Sequence, residues 1–177
     1  AAAAQARIGQ HVTVLLDKAP DEHAHAVARE SGLRLAHVPA TTWGYERTAL
    51  CGLIRSHDIV HMHSVFVPRY ATLARRLANG HVPYIITPHG GLSKHVLRRS
   101  WLKKWTYSLL AERPRFAAAA AVTTVVPGEA RDVQSFIGAY HGQIKWIPNP
   151  VDPARLQSHA WELRNQPARD QPDWEST

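Results

Sequence analysis

Two periods alternate along the chain. Short runs rich in Val, Ile and Leu read as strands, at residues 11–16 (HVTVLL), 33–38 (LRLAHV), 58–61 (DIVH), 84–87 (YIIT), 121–126 and 144–147. Segments with helical spacing stand between them. Residues 21–31 form a polar helix with Asp21 as N-cap, and 45–55 a helix with Leu50, Leu53 and Ile54 on its apolar side. Residues 68–78 open on a proline, whose missing N–H is tolerated in a first turn. A longer helix over 94–111 is expected to end at Pro114, and 129–136 form the last one. Residues 1–8 read as the last turns of a helix that Gly9 stops, so further residues are expected upstream of Ala1.

Strands separated by helices, with continuous apolar cores, imply a parallel sheet covered on both faces. Six strands with right-handed crossovers predict an α/β fold over residues 1–153: a doubly wound, mostly parallel, Rossmann-like sheet. Residues 154–177 turn polar, with two prolines after position 165, and read as a linker or partly disordered tail.

Composition narrows the function classes. Of 177 residues 45% are hydrophobic and 20% charged, the balance of a globular domain. No apolar run approaches the roughly 20 residues that span a bilayer, and no charged segment leads into an apolar core as in a signal peptide. Cys51, the single cysteine, can form no intrachain disulfide and fits a reducing compartment. Lys and Arg total 21 against 14 Asp and Glu, a net charge of +7, and 12 histidines add to it under acid conditions. Such a surface favours anionic partners. Neither a recognition helix nor aromatics interleaved on exposed strands support nucleic acid as that partner.

In doubly wound sheets ligands bind at the carboxyl ends of the strands. Three segments fall there: His61, Met62, His63 and Ser64; then Thr87, Pro88, His89, Gly90 and Gly91; then residues 147–152 (IPNPVD). Gly90 and Gly91 can adopt positive φ and bring backbone amides close to a ligand, with a helix starting just beyond, an arrangement suited to anions. His89 at its rim could donate a hydrogen bond or polarise a substrate oxygen; otherwise the segment is a tight turn whose histidine satisfies a local carbonyl. His61 and His63, two apart, point the same way if the strand continues, which makes half a metal site. No cysteine or acidic pair completes it, so a polar cleft lining is expected and no metal.

The helix from Lys94 onwards carries Arg98, Arg99, Lys103 and Lys104, with Leu97, Trp101, Trp105 and Leu109 at intervals of four. It is either a packed helix with a solvated outer face or a membrane-surface patch, tryptophan at the interface and basic groups on anionic headgroups.

Taken in order, DIVHMHS (58–64), VPYIITPHGGL (82–92), RRSWLKKWTYSLL (98–110), AVTTVVPGEA (121–130) and IKWIPNPVD (144–152) resemble the amino-terminal half of family-4-type retaining glycosyltransferases of the GT-B fold. Residues 9–14 (GQHVTV) resemble the family's second strand and its lead-in. The resemblance implies an acceptor-binding Rossmann domain that works with a carboxy-terminal domain binding a nucleotide-sugar, without an obligatory metal or other cofactor. It implies that His89 faces the transferred sugar as the catalytic residue. It further implies that Gly90 and Gly91 shape the wall, that His61, His63 and Ser64 line the acceptor side, and that Lys94 meets a phosphate or acidic acceptor.

The expected activity is hexosyl transfer to a glycan or lipid-linked acceptor in polysaccharide assembly, in the cytoplasm and peripheral on the inner membrane face. The family's first strand, which sits mid-sheet, would precede Ala1, and the donor domain has no counterpart after Asp152. Pro150 stands where a glycine is usual, and Gly128 where a serine often caps the helix. As an isolated chain the domain is therefore expected to be inactive: a fragment, a subunit working with a separate donor-binding chain, or a relic. Two rival readings stay open. One is a non-catalytic Rossmann-like module for an anionic ligand or partner. The other is a sugar-nucleotide epimerase, which would need cleft carboxylates beside the PHG or HMHS segments.

Overall fold

A computed structural model describes residues 2–93, 96–97, 105–138 and 140–150. Helix α1 (Ala2–Arg7) leads into β1 (Thr13–Leu16), α2 (Glu22–Ser31), β2 (Arg34–His37) and α3 (Arg47–Arg55). Then come β3 (Val60–His63), α4 (Pro68–Asn79) and β4 (Tyr84–Thr87). A π-helical segment (Ser108–Glu112) continues into α5 (Arg113–Ala117), followed by β5 (Ala121–Thr124), α6 (Glu129–Ile137) and β6 (Gln143–Trp146). Every pairing between these strands is parallel. The architecture is the expected α/β one, parallel sheets flanked by helices in a Rossmann-like arrangement.

The single six-stranded sheet is not what forms. Strands β1 and β2 make one sheet, and β3-β4-β5-β6 make another in that order. The interruption lies between β1 and β3, at whose ends side chains meet. His57 Nε2 lies 2.8 Å from Thr13 Oγ1. Beyond the other ends of the two strands, Arg69 pairs with Asp17 at 2.6 Å.

Local signals explain most helix ends. Asp21 accepts from the Ala24 amide at 2.8 Å, and Gly32, at φ +74°, closes α2 by donating to the Ala28 carbonyl. Pro114 does not end its helix. The Arg113 amide reaches back five residues to the Ser108 carbonyl, and the proline enters in the first turn of α5, where its missing N–H is harmless.

The core belongs to the larger sheet. No residue of β1 or β2 is fully buried. Met62, Ile86 and Val122 line up across β3, β4 and β5 on one face. Leu73 and Leu77 of α4, Phe116 of α5 and Val133 of α6 belong to the same buried cluster. Strand β3 falls two residues later than the expected 58–61 and alternates, Met62 buried between exposed His61 and His63. The opposite face of this sheet is therefore polar near the strand tips, not apolar as a doubly covered sheet would be.

Candidate functional site

Strands β3 and β4 set the geometry of the site. Their register places His61 beside Ile85 and His63 beside Thr87. The two histidines leave the same face, as a period of two requires, with ring centroids 4.2 Å apart. His61 Nε2 lies 2.6 Å from Thr87 Oγ1, and the Thr87 hydroxyl pairs in turn with that of Thr123 on β5. His89, two residues past β4, folds back so that its Nε2 stands 2.9 Å from His63 Nδ1. The two rings meet edge to edge, with centroids 5.2 Å and planes 23° apart. Three imidazoles thus form one row across two strand tips, and the facing nitrogens of His63 and His89 share one proton between them.

Electrostatics keeps part of the row neutral. Desolvation first, then the neighbouring His63 and His89, lower His61 from 6.5 to about 4. Desolvation and His89 lower His63 as well. At neutral pH these two rings offer hydrogen-bonding nitrogens rather than positive charge. Among the described residues no group of three or more His, Cys, Asp or Glu is placed to hold a metal ion.

Both segments at these tips carry non-glycine residues in left-handed conformation: Ser64 (φ +82°) and Phe66 (φ +58°) after β3, His89 (φ +52°) after β4. Each such residue costs about 1–3 kcal/mol and persists only where its surroundings over-determine it. Buried carboxylates supply that determination. Glu112 accepts from the Phe66 amide at 3.1 Å and pairs with Arg115 Nη2 at 2.7 Å. Arg115 also donates to the Ser64 carbonyl at 3.2 Å. Both side chains are 0% exposed, and burial pushes the Glu112 carboxyl upward against the pull of Arg115. Glu129, the first residue of α6 and 3% exposed, accepts from the Gly90 amide and, at 2.9 Å, from the Val125 amide. Among the described residues no cation pairs with it.

These contacts revise the reading of the glycines. Gly90 has φ +73°, whereas Gly91 does not have positive φ. What Gly91 supplies is space, since a Cβ there would fall inside the Val65 side chain. The amides expected to cradle an external anion are engaged within the protein, Gly90 with Glu129 and Gly91 with the Pro88 carbonyl. An epimerase would need carboxylates facing the cleft beside the two segments. Glu112 and Glu129 are there, but their oxygens are turned inward to backbone amides and, for Glu112, to Arg115. Ser64 lies at the tip as expected, its amide donating to the Thr87 carbonyl at 2.8 Å. Lys94, Arg98, Arg99, Trp101, Lys103 and Lys104 lie outside the described residues.

The family model described as Glycosyltransferase Family 4 matches residues 1–155 of the 177. The chain belongs to glycosyltransferase family 4. No curated protein sequence matches it. Family membership assigns this domain to glycosyl transfer in general, and the histidine row occupies the strand tips at which Rossmann-like sheets bind ligands. Two exposed apolar surfaces accompany the row in this glycosyltransferase domain. At the tips of β5 and β6, Val126, Trp146 and Ile147 are exposed. On the helix leading to α5, Trp105 is 56% and Leu110 82% exposed, with Leu109 also open. The stripe of Leu97, Trp101, Trp105 and Leu109 is therefore not one packed face: Leu97 packs on the core, Trp105 and Leu109 do not, and Trp101 lies outside the described residues. No helix among the described residues is long and apolar enough to cross a membrane.

Proposed function

We propose that this domain is the acceptor-binding half of a retaining GT-B glycosyltransferase. It transfers a hexosyl group from a nucleotide-sugar to a glycan or lipid-linked acceptor in polysaccharide assembly, without an obligatory metal. The observation that carries the reading is the row of His61, His63 and His89 across the tips of two adjacent parallel strands. The neutral imidazoles of His61 and His63 suit sugar hydroxyls, which donate and accept hydrogen bonds and carry no charge. His89 is the catalytic residue, His61, His63 and Ser64 line the acceptor side, Gly90 and Gly91 form the wall, and Lys94 meets an acidic group of the acceptor. A donor-binding domain, in the same chain or a separate one, closes the cleft, and the exposed Val126, Trp146 and Ile147 favour a covered surface at those tips. The inward orientation of Glu112 and Glu129 weighs against an epimerase, which needs carboxylates facing its substrate.

In the complete enzyme, His89→Ala lowers turnover about 100-fold or more while the fold persists. An unchanged rate removes His89 from the chemistry. The enzyme works in the cytoplasm, peripheral on the inner face of the membrane. Exposed Trp105, Leu109 and Leu110 support that docking, and so does the basic sequence containing Arg98, Arg99, Lys103 and Lys104. Neutralising those four residues weakens binding to anionic vesicles, and added salt does the same. Binding indifferent to both contradicts the membrane assignment.

A further inference from the structure

We infer that Glu129 is a positioning residue for the transfer reaction, acting through Gly90 to hold the His89 imidazole against His63; the inference rests on the acceptor-site reading above. Its carboxylate bridges two strand tips. One oxygen accepts from the Gly90 amide beyond β4, the other from the Val125 amide beyond β5. The residue before the anchored amide is His89, held at φ +52°, and its ring meets His63 at 2.9 Å. A histidine left to itself does not stay in that conformation, so a fixed point is required next to it. Gly90 follows at φ +73°, which lets the chain turn its amide inward without a side-chain clash. Glu129 opens α6, where the positive end of the helix dipole stabilises a carboxylate that has no cation beside it among the described residues. The glycine turn thus has an internal anion, and that anion determines where the imidazole points.

Glu129→Gln tests this in the complete protein. A glutamine keeps one acceptor oxygen but turns an NH2 group towards an amide donor, so one of the two anchors is lost. In nitrogen-15 spectra of the histidine rings, the shared His63–His89 proton disappears or shifts. The kcat falls about 10- to 100-fold with KM little changed, as expected when a reacting group is misplaced. In the His89→Ala background the same substitution has no further effect on turnover, because it acts only through that ring. Glu129→Asp keeps the charge but is one methylene too short to bridge both amides, and it gives a smaller change of the same kind should the Gln variant not fold. A Glu129 effect that adds fully to that of His89→Ala, or a folded variant with unaltered ring spectra, overturns the assignment. If instead His89→Ala leaves turnover unchanged while Glu129→Gln still disturbs the ring pair, the transfer reading fails and the positioning contact stands.

Discussion

The segments after β3 and β4 face the same problem and solve it differently. Each must hold non-glycine residues in left-handed conformation at a strand tip, and each is held by a buried glutamate accepting from its backbone. After β3 the glutamate comes with its own cation: Glu112 and Arg115, one helical turn apart, grip Phe66 and Ser64 from the same helix. After β4 the glutamate stands without a cation among the described residues, and two amides and a helix terminus take the counter-ion's place. The first arrangement is an ion pair that is costly to break on one side. The second is a hydrogen-bonded anchor whose loss releases a turn without stranding a charge. Rigidity after β3 is therefore built into the core, while the position of His89 after β4 depends on one side chain.

Breaking each anchor separates the two. Arg115→Met leaves the Glu112 carboxyl buried without its cation and destabilises the fold by about 3–5 kcal/mol, read as a fall in the denaturant midpoint. The double replacement Glu112→Leu with Arg115→Met recovers most of that loss, since a buried pair exchanged for apolar side chains is often near neutral. It still frees the Phe66 amide, which then exchanges faster with solvent. If the double variant is no more stable than Arg115→Met, the two side chains do not act as a pair. Glu129→Ala deprives two amides of their acceptor, at about 1–3 kcal/mol each, a loss comparable in sum. Its larger effect falls on the histidine rings.

Much of the fold was legible in local pattern. Strand β4 coincides with the YIIT run, and Asp21 caps α2 through the short-range contact that sequence spacing specifies. Strand β3 was expected to end at His61, where its apolar run stops, and only pairing with β4 shows that it continues to His63. The interrupted sheet was not legible, since strand adjacency is a long-range property that periodicity does not encode. Pro114 misled because a local stop signal was overridden by the π-helical register before it. In the candidate site, the neighbourhood of His61, His63 and His89 followed from parallel topology. Glu129 did not, because its contact with Gly90 joins residues 39 apart in sequence. A signal was present all the same: an acidic residue opening a helix at one strand tip, next in sheet order to a glycine turn.

The pH response of the histidines bears on the whole account. In the folded chain the neutral form of His61 is favoured over that in the unfolded chain, where the ordinary value is 6.5. The stability it contributes is complete above that value and is lost as pH falls towards about 4. The most direct measurement is a nitrogen-15 NMR titration of the three rings in the intact protein. The account predicts that His61 stays neutral down to about pH 5 and titrates near 4, with His63 also below the ordinary range and coupled to His89. Transitions of both His61 and His63 near 6.5 would mean that these two rings are not desolvated, and the sugar-binding wall assigned to the row would not exist.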